Sequence, residues 1–249
     1  MSVFKLPVST CNELNKLAAC FWWGDKNGEA KKIHLKAWNT LTIPKNQGGL
    51  GFHELQTFND ALITKQLWRI ITKPNLLVSK FLKAKYFPDG GLLDVKISQS
   101  VSWLWRCWMA ARTFLRRGLR YEVCNGKSIR IWQSPWIINS DFFLPMSSSP
   151  SHISPIWVNE LLQPDGKHWN APLISETFHP IDAQNIMNLS IHSNLSKDSL
   201  VWHFGKKGLF SVKSTYSKLI LDNFKLKFPA ESSISSSRNS IVWVKSWKL

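Results

Sequence analysis

Ser102 to Ile131, SWLWRCWMAARTFLRRGLRYEVCNGKSIRI, is the stretch in which the chain changes its mode of folding. In its first half Leu104, Trp108, Ala111 and Leu115 fall at i, i+4, i+7 and i+11, one face of an α-helix, which predicts a helix over about Ser102 to Arg117. After Gly118 the period drops to two. Tyr121 and Val123, the pair Asn125-Gly126, then Ile129 and Ile131 predict a β-hairpin. The expected fold class is mainly α with an α+β second half: a helical bundle followed by an irregular region that contains hairpins.

Upstream, helical signals dominate. Thr10-x-x-Glu13 reads as a capping box ahead of Leu14, Leu17, Ala18, Phe21 and Trp22, with Gly24 and Asp25 as the stop. Ile43 to Gly51, IPKNQGGLG, reads as a turn, because proline fixes φ and glycine opens conformations closed to other residues. A longer helix is expected from about Leu55 to Ile71, ended by Pro74, with Phe58, Leu62, Trp68 and Ile71 among its apolar positions. The next begins near Asn75, with Leu77, Phe81 and Ala84 as its stripe and Lys73, Lys80, Lys83 and Lys85 largely outside it.

Downstream, Ser134 to Ser199 is rich in Pro and Ser and weakly periodic, with short helical pieces expected at Trp157 to Leu162 and Asp182 to Leu189. Trp136, Trp157 and Trp169 in this stretch need burial, so it is irregular rather than disordered. Val201 to Phe204 and Leu209 to Val212, joined by Gly205-Lys206-Lys207-Gly208, form a second candidate hairpin, followed by a helix from about Ser214 to Phe224. Glu231 to Ser240 reads as a serine-rich linker. The final segment, IVWVKSWKL, stops in mid-pattern, which suggests truncation. These shifts divide the chain into a helical region (1–120), a hairpin and irregular connector (121–200) and a last region (201–249).

Lys and Arg number 32 against 16 Asp and Glu, a formal charge of +16. Nucleic acid is the readiest partner for such a cation, since each neutralised phosphate releases counterions. No run of about 20 apolar residues and no secretory h-region occurs, so no membrane partner is expected and the expected compartment is intracellular, nuclear or cytoplasmic. Cys11, Cys20, Cys107 and Cys124 lie far apart without a C-x-x-C or paired His, and read as free thiols, buried or partly buried.

Two-metal polymerases and nucleases need clustered carboxylates. The acids here are scattered and no Asp-Asp pair occurs, so no catalytic residue, metal ligand or cofactor is expected. Gly48-Gly49-Leu50-Gly51 lacks the P-loop and dinucleotide spacings. The Trp103, Trp105 and Trp108 cluster beside Arg106 and Arg112 offers rings for base stacking, though aromatic stripes are more often core. Between Lys73 and Arg120 positive charge is opposed only by Asp89 and Asp94. The candidate nucleic-acid contacts are therefore Lys80, Lys83, Lys85, Arg106, Arg112, Arg116 and Arg120, with the apolar stripes of their two helices packed together and the basic faces outside.

The blocks FWWGDKN (21–27), HLKAW (34–38), IPKNQGGLGFHEL (43–55), FNDALITKQLWRI (58–70), AKYFPDG (84–90), the 103–108 tryptophan cluster, VCNGKSIRIWQSPWI (123–137), FSVKSTY (210–216) and the closing VWVKSWKL occur in that order. Together they resemble the region downstream of the polymerase palm in plant LINE-type (non-LTR) reverse transcriptases. The resemblance implies a helical, thumb-like first part, catalytic aspartates upstream of this segment, and a zinc-binding module that has only begun at 201–249, often followed by ribonuclease H. It implies a non-catalytic piece that grips RNA or RNA–DNA hybrid. The rival reading is a domesticated or decayed fragment, acting as a protein-interaction module or without function. Gln133-Ser134-Pro135 departs from the family, where an aspartate commonly precedes Pro-Trp.

Overall fold

In the computed structural model, residues 2–24, 34–98, 101–146, 155–192 and 197–227 are described. The serine-rich stretch and the closing IVWVKSWKL lie outside them. The fold is mainly α with a small α+β part. It comprises α1 (Val8–Trp23), α2 (Trp38–Leu41), α3 (Leu55–Thr72), α4 (Leu77–Tyr86), α5 (Trp103–Ala110), α6 (Arg112–Arg116), β1 (Leu119–Glu122), α7 (Ala171–Thr177), α8 (Pro180–Met187), β2 (Ser199–Trp202) and α9 (Val212–Lys227). The described residues fall into two compact units. One draws on Met1–Ile70, Lys96–Ala111 and Ser211–Leu249, the other on Ile71–Val95 and Arg112–Phe210.

The first unit is built on α3. Thr57, Ala61 and Thr64 are buried on one side of it and Asn59, Ile63, Leu67 and Ile70 on another, while Lys65 and Arg69 are exposed. Helix α3 is thus enclosed on most of its circumference, which requires its buried polar groups to be bonded. Asn59 meets this by accepting from Leu6 N at 2.8 Å and donating to Phe4 O at 2.9 Å. The N-terminal segment is fixed again where Trp108 Nε1 donates to Val3 O at 2.7 Å. Tyr216 of α9 donates to Phe52 O, and its hydroxyl accepts from Glu54 N at 2.9 Å.

Helix α1 departs from expectation. It begins after Pro7 with no side-chain cap, so Thr10 lies inside it, and it buries Cys11, Ala19 and Cys20. Leu14, Leu17 and Trp22 are exposed and Phe21 is 87% exposed. The helix carries two apolar faces, and the smaller residues are the ones that pack. Gly24 in the left-handed conformation ends it; Asp25 lies outside the described residues. The 43–51 segment is a turn as read: a Cβ on Gly49 would come within 2.0 Å of Ile43 O, so only glycine fits.

In the second unit both hairpins are replaced by one long-range pair. Strand β1 lies antiparallel to β2, with Leu119 opposite Trp202 and Glu122 opposite Ser199. The segment holding Ile129 and Ile131 bonds instead to 156–158, through Ile131 N to Ile156 O and Val158 N to Ile129 O, both 3.0 Å. Asn125-Gly126 is therefore not a hairpin turn. It belongs to a loop wrapped around the Asp198 carboxylate, which accepts from Cys124 N, Asn125 N and Gly126 N on one oxygen and from Ser128 N and Ser128 Oγ on the other, at 2.7–3.1 Å. Burial pushes the Asp198 carboxyl up, but these hydrogen bonds outweigh it and its pKa lies below the usual carboxylate range. Gly205 to Gly208 forms a turn leading into α9, and Phe210 packs on the Trp202 ring at 4.8 Å rather than entering a strand.

Val123, Ile129, Ile131, Trp136, Val158, Leu161, Ile174 and Ile186 form the core of this unit. The described part of the Pro/Ser-rich region packs around Trp136, whose Nε1 donates to Ile131 O at 2.9 Å. Of its short helical pieces, 157–162 is a 3₁₀ turn over Val158–Leu161 and 182–189 falls in and just after α8; α7 was not anticipated.

Candidate nucleic-acid interface

Helix α4 buries Ser79 and Leu82, and Phe87 just beyond its end. Leu77, Phe81 and Ala84, expected to form the packed stripe, are exposed, Leu77 by 84% and Phe81 by 60%. The buried face is thus rotated to the one that carries Ser79 and Leu82, which spacing alone did not pick out. Lys80, Lys83 and Lys85 are all exposed; Lys85 Nζ lies 5.8 Å from the Phe81 ring centroid and 5.3 Å from that of Tyr86, whereas Lys83, two residues from Phe81, falls nearly on the opposite face of the helix. One cation thus lies beside a solvent-facing aromatic ring, a pairing suited to a phosphate and an unpaired base.

The expected fourth helix is two. Helix α5 closes with Ala111 N bonding back to Trp108 O at 3.0 Å, a tightened last turn, and α6 starts at Arg112 in the other unit. Packing the fourth helix as one piece against α4 is therefore not the arrangement formed. Trp105 and Trp108 are buried, whereas Trp103 is 55% exposed and lies 6.3 Å from the Phe4 ring. Arg106 is exposed on α5.

The remaining arginines have local work. Arg112 Nη1 donates to Val95 O at 2.6 Å, and Arg116 Nη2 donates to Leu93 O and pairs with Asp94 at 2.9 Å. Burial, with the neighbouring Arg116, holds the Arg112 pKa below its ordinary value while Asp94 opposes this. Both side chains clamp the 93–95 segment that follows α4. Arg120 is half-buried on β1, its pKa lowered by burial against the opposing effect of Glu122. Of the seven candidates, Lys80, Lys83 and Lys85 are all exposed on α4, Arg106 belongs to the first unit, and Arg112, Arg116 and Arg120 are partly engaged within the second. Asp198, which sequence reasoning missed, has no local signal, because its partners lie some seventy residues upstream.

Over 148 residues, 59% of this chain and 96% of the relative, the sequence is 34% identical to an uncharacterized mitochondrial protein of Arabidopsis thaliana. The chain belongs to that protein's family. A second Arabidopsis relative, named "Putative ribonuclease H protein", is 30% identical over 235 residues, 89% of this chain. The match covers 36% of that relative, so the chain spans about a third of its length. Two plant relatives of this kind are consistent with a retrotransposon-derived family. No family model and no solved structure matches the chain. No helix among the described residues is long and apolar enough to cross a membrane.

Proposed function

We propose that the chain is a non-catalytic segment of a LINE-type RNA-directed DNA polymerase, lying downstream of the polymerase palm, that grips RNA or RNA–DNA hybrid inside the nucleus or cytoplasm. Residues 201–249 would be the start of that protein's zinc-binding region. The observation that carries the reading is the exposure of α4, where Lys80, Lys83 and Lys85 all face solvent and Lys85 lies beside the exposed Phe81 ring. Phosphates on the lysines with a base against the ring give affinity without sequence preference. Arg106, exposed on α5 of the other unit, is a separate candidate contact.

The test is a fluorescence-anisotropy titration with single-stranded RNA and RNA–DNA hybrid between about 50 and 200 mM salt. Several phosphate contacts weaken binding by orders of magnitude over that range. Binding indifferent to salt would favour the second reading, a protein-docking face, which the exposure of Leu77 and Val78 beside Phe81 supports.

A further inference from the structure

A cavity of about 180 Å³ lies beside β1 in the second unit. Its polar lining includes Arg120, Glu122, Asn188, Ser190 and His192, and its apolar walls include Trp136. Arg120 and Glu122 are two apart on the strand and share one face. The Arg120 Nε is buried with no hydrogen-bond partner, and its Nη1 makes only a long 3.3 Å bond to Tyr121 O. Glu122 Oε1 lies 3.3 Å from His192 Nε2. A carboxylate offers about four lone-pair sites, so Glu122 keeps acceptor capacity beyond His192. Trp136 spends its indole N–H on Ile131 O and presents only ring to the cavity.

We infer that this cavity is a subsite for one unpaired nucleobase, with guanine preferred; the inference rests on the RNA-binding reading above. The polar set is a planar donor fork, an anionic acceptor and an amide within apolar walls. An arginine fork matches guanine O6 and N7, while a glutamate accepts from guanine N1–H and its exocyclic amine. A phosphate would meet Glu122 repulsion, which argues against a general anion site. The volume falls below the roughly 300–1,000 Å³ of drug-sized ligand pockets, so a base enters and its sugar and phosphate stay outside.

The full chain is titrated with labelled oligoadenylate RNA carrying no guanine, one guanine, one inosine (no exocyclic amine) or one 7-deazaguanine (no N7 acceptor). One guanine is expected to tighten binding by about tenfold, and inosine and 7-deazaguanine each to lose most of that gain. In Arg120→Lys, which keeps the charge and loses the fork, the guanine-to-adenine ratio falls to about one, with circular dichroism reporting the fold. The modified bases test the contact even if that variant does not fold. Guanosine monophosphate is titrated separately by calorimetry. Saturable binding of guanosine monophosphate upholds the subsite; if no RNA binds while it does, only the lysine-face reading falls. Equal affinity for all four RNAs together with no guanosine monophosphate binding overturns the subsite, even if salt-sensitive RNA binding persists, and leaves a water-filled structural cavity.

Discussion

Asp198 holds the 124–128 loop with five donors on one carboxylate, and the loop in turn brings β1 alongside β2. Asp198→Ala is expected to cost about 1–2 kcal/mol at pH 7, the figure being reduced for the group's partial exposure. Because the folded pKa is depressed, the stabilisation is complete above the unfolded value near 3.9 and is lost as pH falls through the folded value. Urea melts at pH 7 and pH 3 would show a smaller difference for Asp198→Asn than for the parent; an equal difference would mean the carboxylate charge is unimportant. Gly126 supplies a paired prediction. It has φ +66 and an added Cβ would sit 2.5 Å from Asn159 N, whereas Gly166, at φ +65, has nothing within 4 Å. Gly166→Ala is expected to cost about 1–2 kcal/mol for its left-handed backbone, and Gly126→Ala clearly more, read from the same denaturation curves.

At the level of elements, the basic residues separate into a surface that can bind and a clamp that holds. Helix α4 exposes Lys80, Lys83 and Lys85, while α6 turns Arg112 and Arg116 onto the carbonyls of Val95 and Leu93. Lys80→Gln/Lys83→Gln/Lys85→Gln is expected to leave the thermal melt unchanged and to lower the salt slope of RNA binding by roughly one unit or slightly less per lost phosphate contact. Arg112→Gln/Arg116→Gln is expected to cost about 1–2 kcal/mol of stability, because charge-assisted bonds to the 93–95 segment are lost. If the lysine variant binds RNA with the parent's affinity and slope, α4 is not the grip.

For the molecule as a whole, the scattered acids set the expectation. Purified chain with magnesium or manganese, a primer and an RNA template is expected to incorporate no nucleotide above a heat-killed control, and any metal-dependent extension would overturn the non-catalytic reading. The relative named for ribonuclease H is matched over 36% of its length, so activities of the remainder are not carried onto this segment.

The amino-acid pattern by itself determined the class of the fold, the long helix read from about Leu55 to Ile71, the turn at 43–51 and the switch after Gly118, because each depends on local periodicity or on proline and glycine geometry, and the free thiols followed from the spacing of the cysteines. It also determined that Trp136 would be buried. Only the tertiary structure decided which face of α1 and α4 packs, since both carry two apolar stripes and the neighbour's shape selects between them. Strand pairing was equally beyond local reading. Asn125-Gly126 satisfies the conformational demand of a hairpin turn, yet an Asp198 carboxylate about seventy residues away supplies a better acceptor for the same N–H groups, and β1 pairs with the strand that follows it. The cavity at Arg120 follows from that pairing, for its walls come from segments that sequence distance keeps apart and folding brings together.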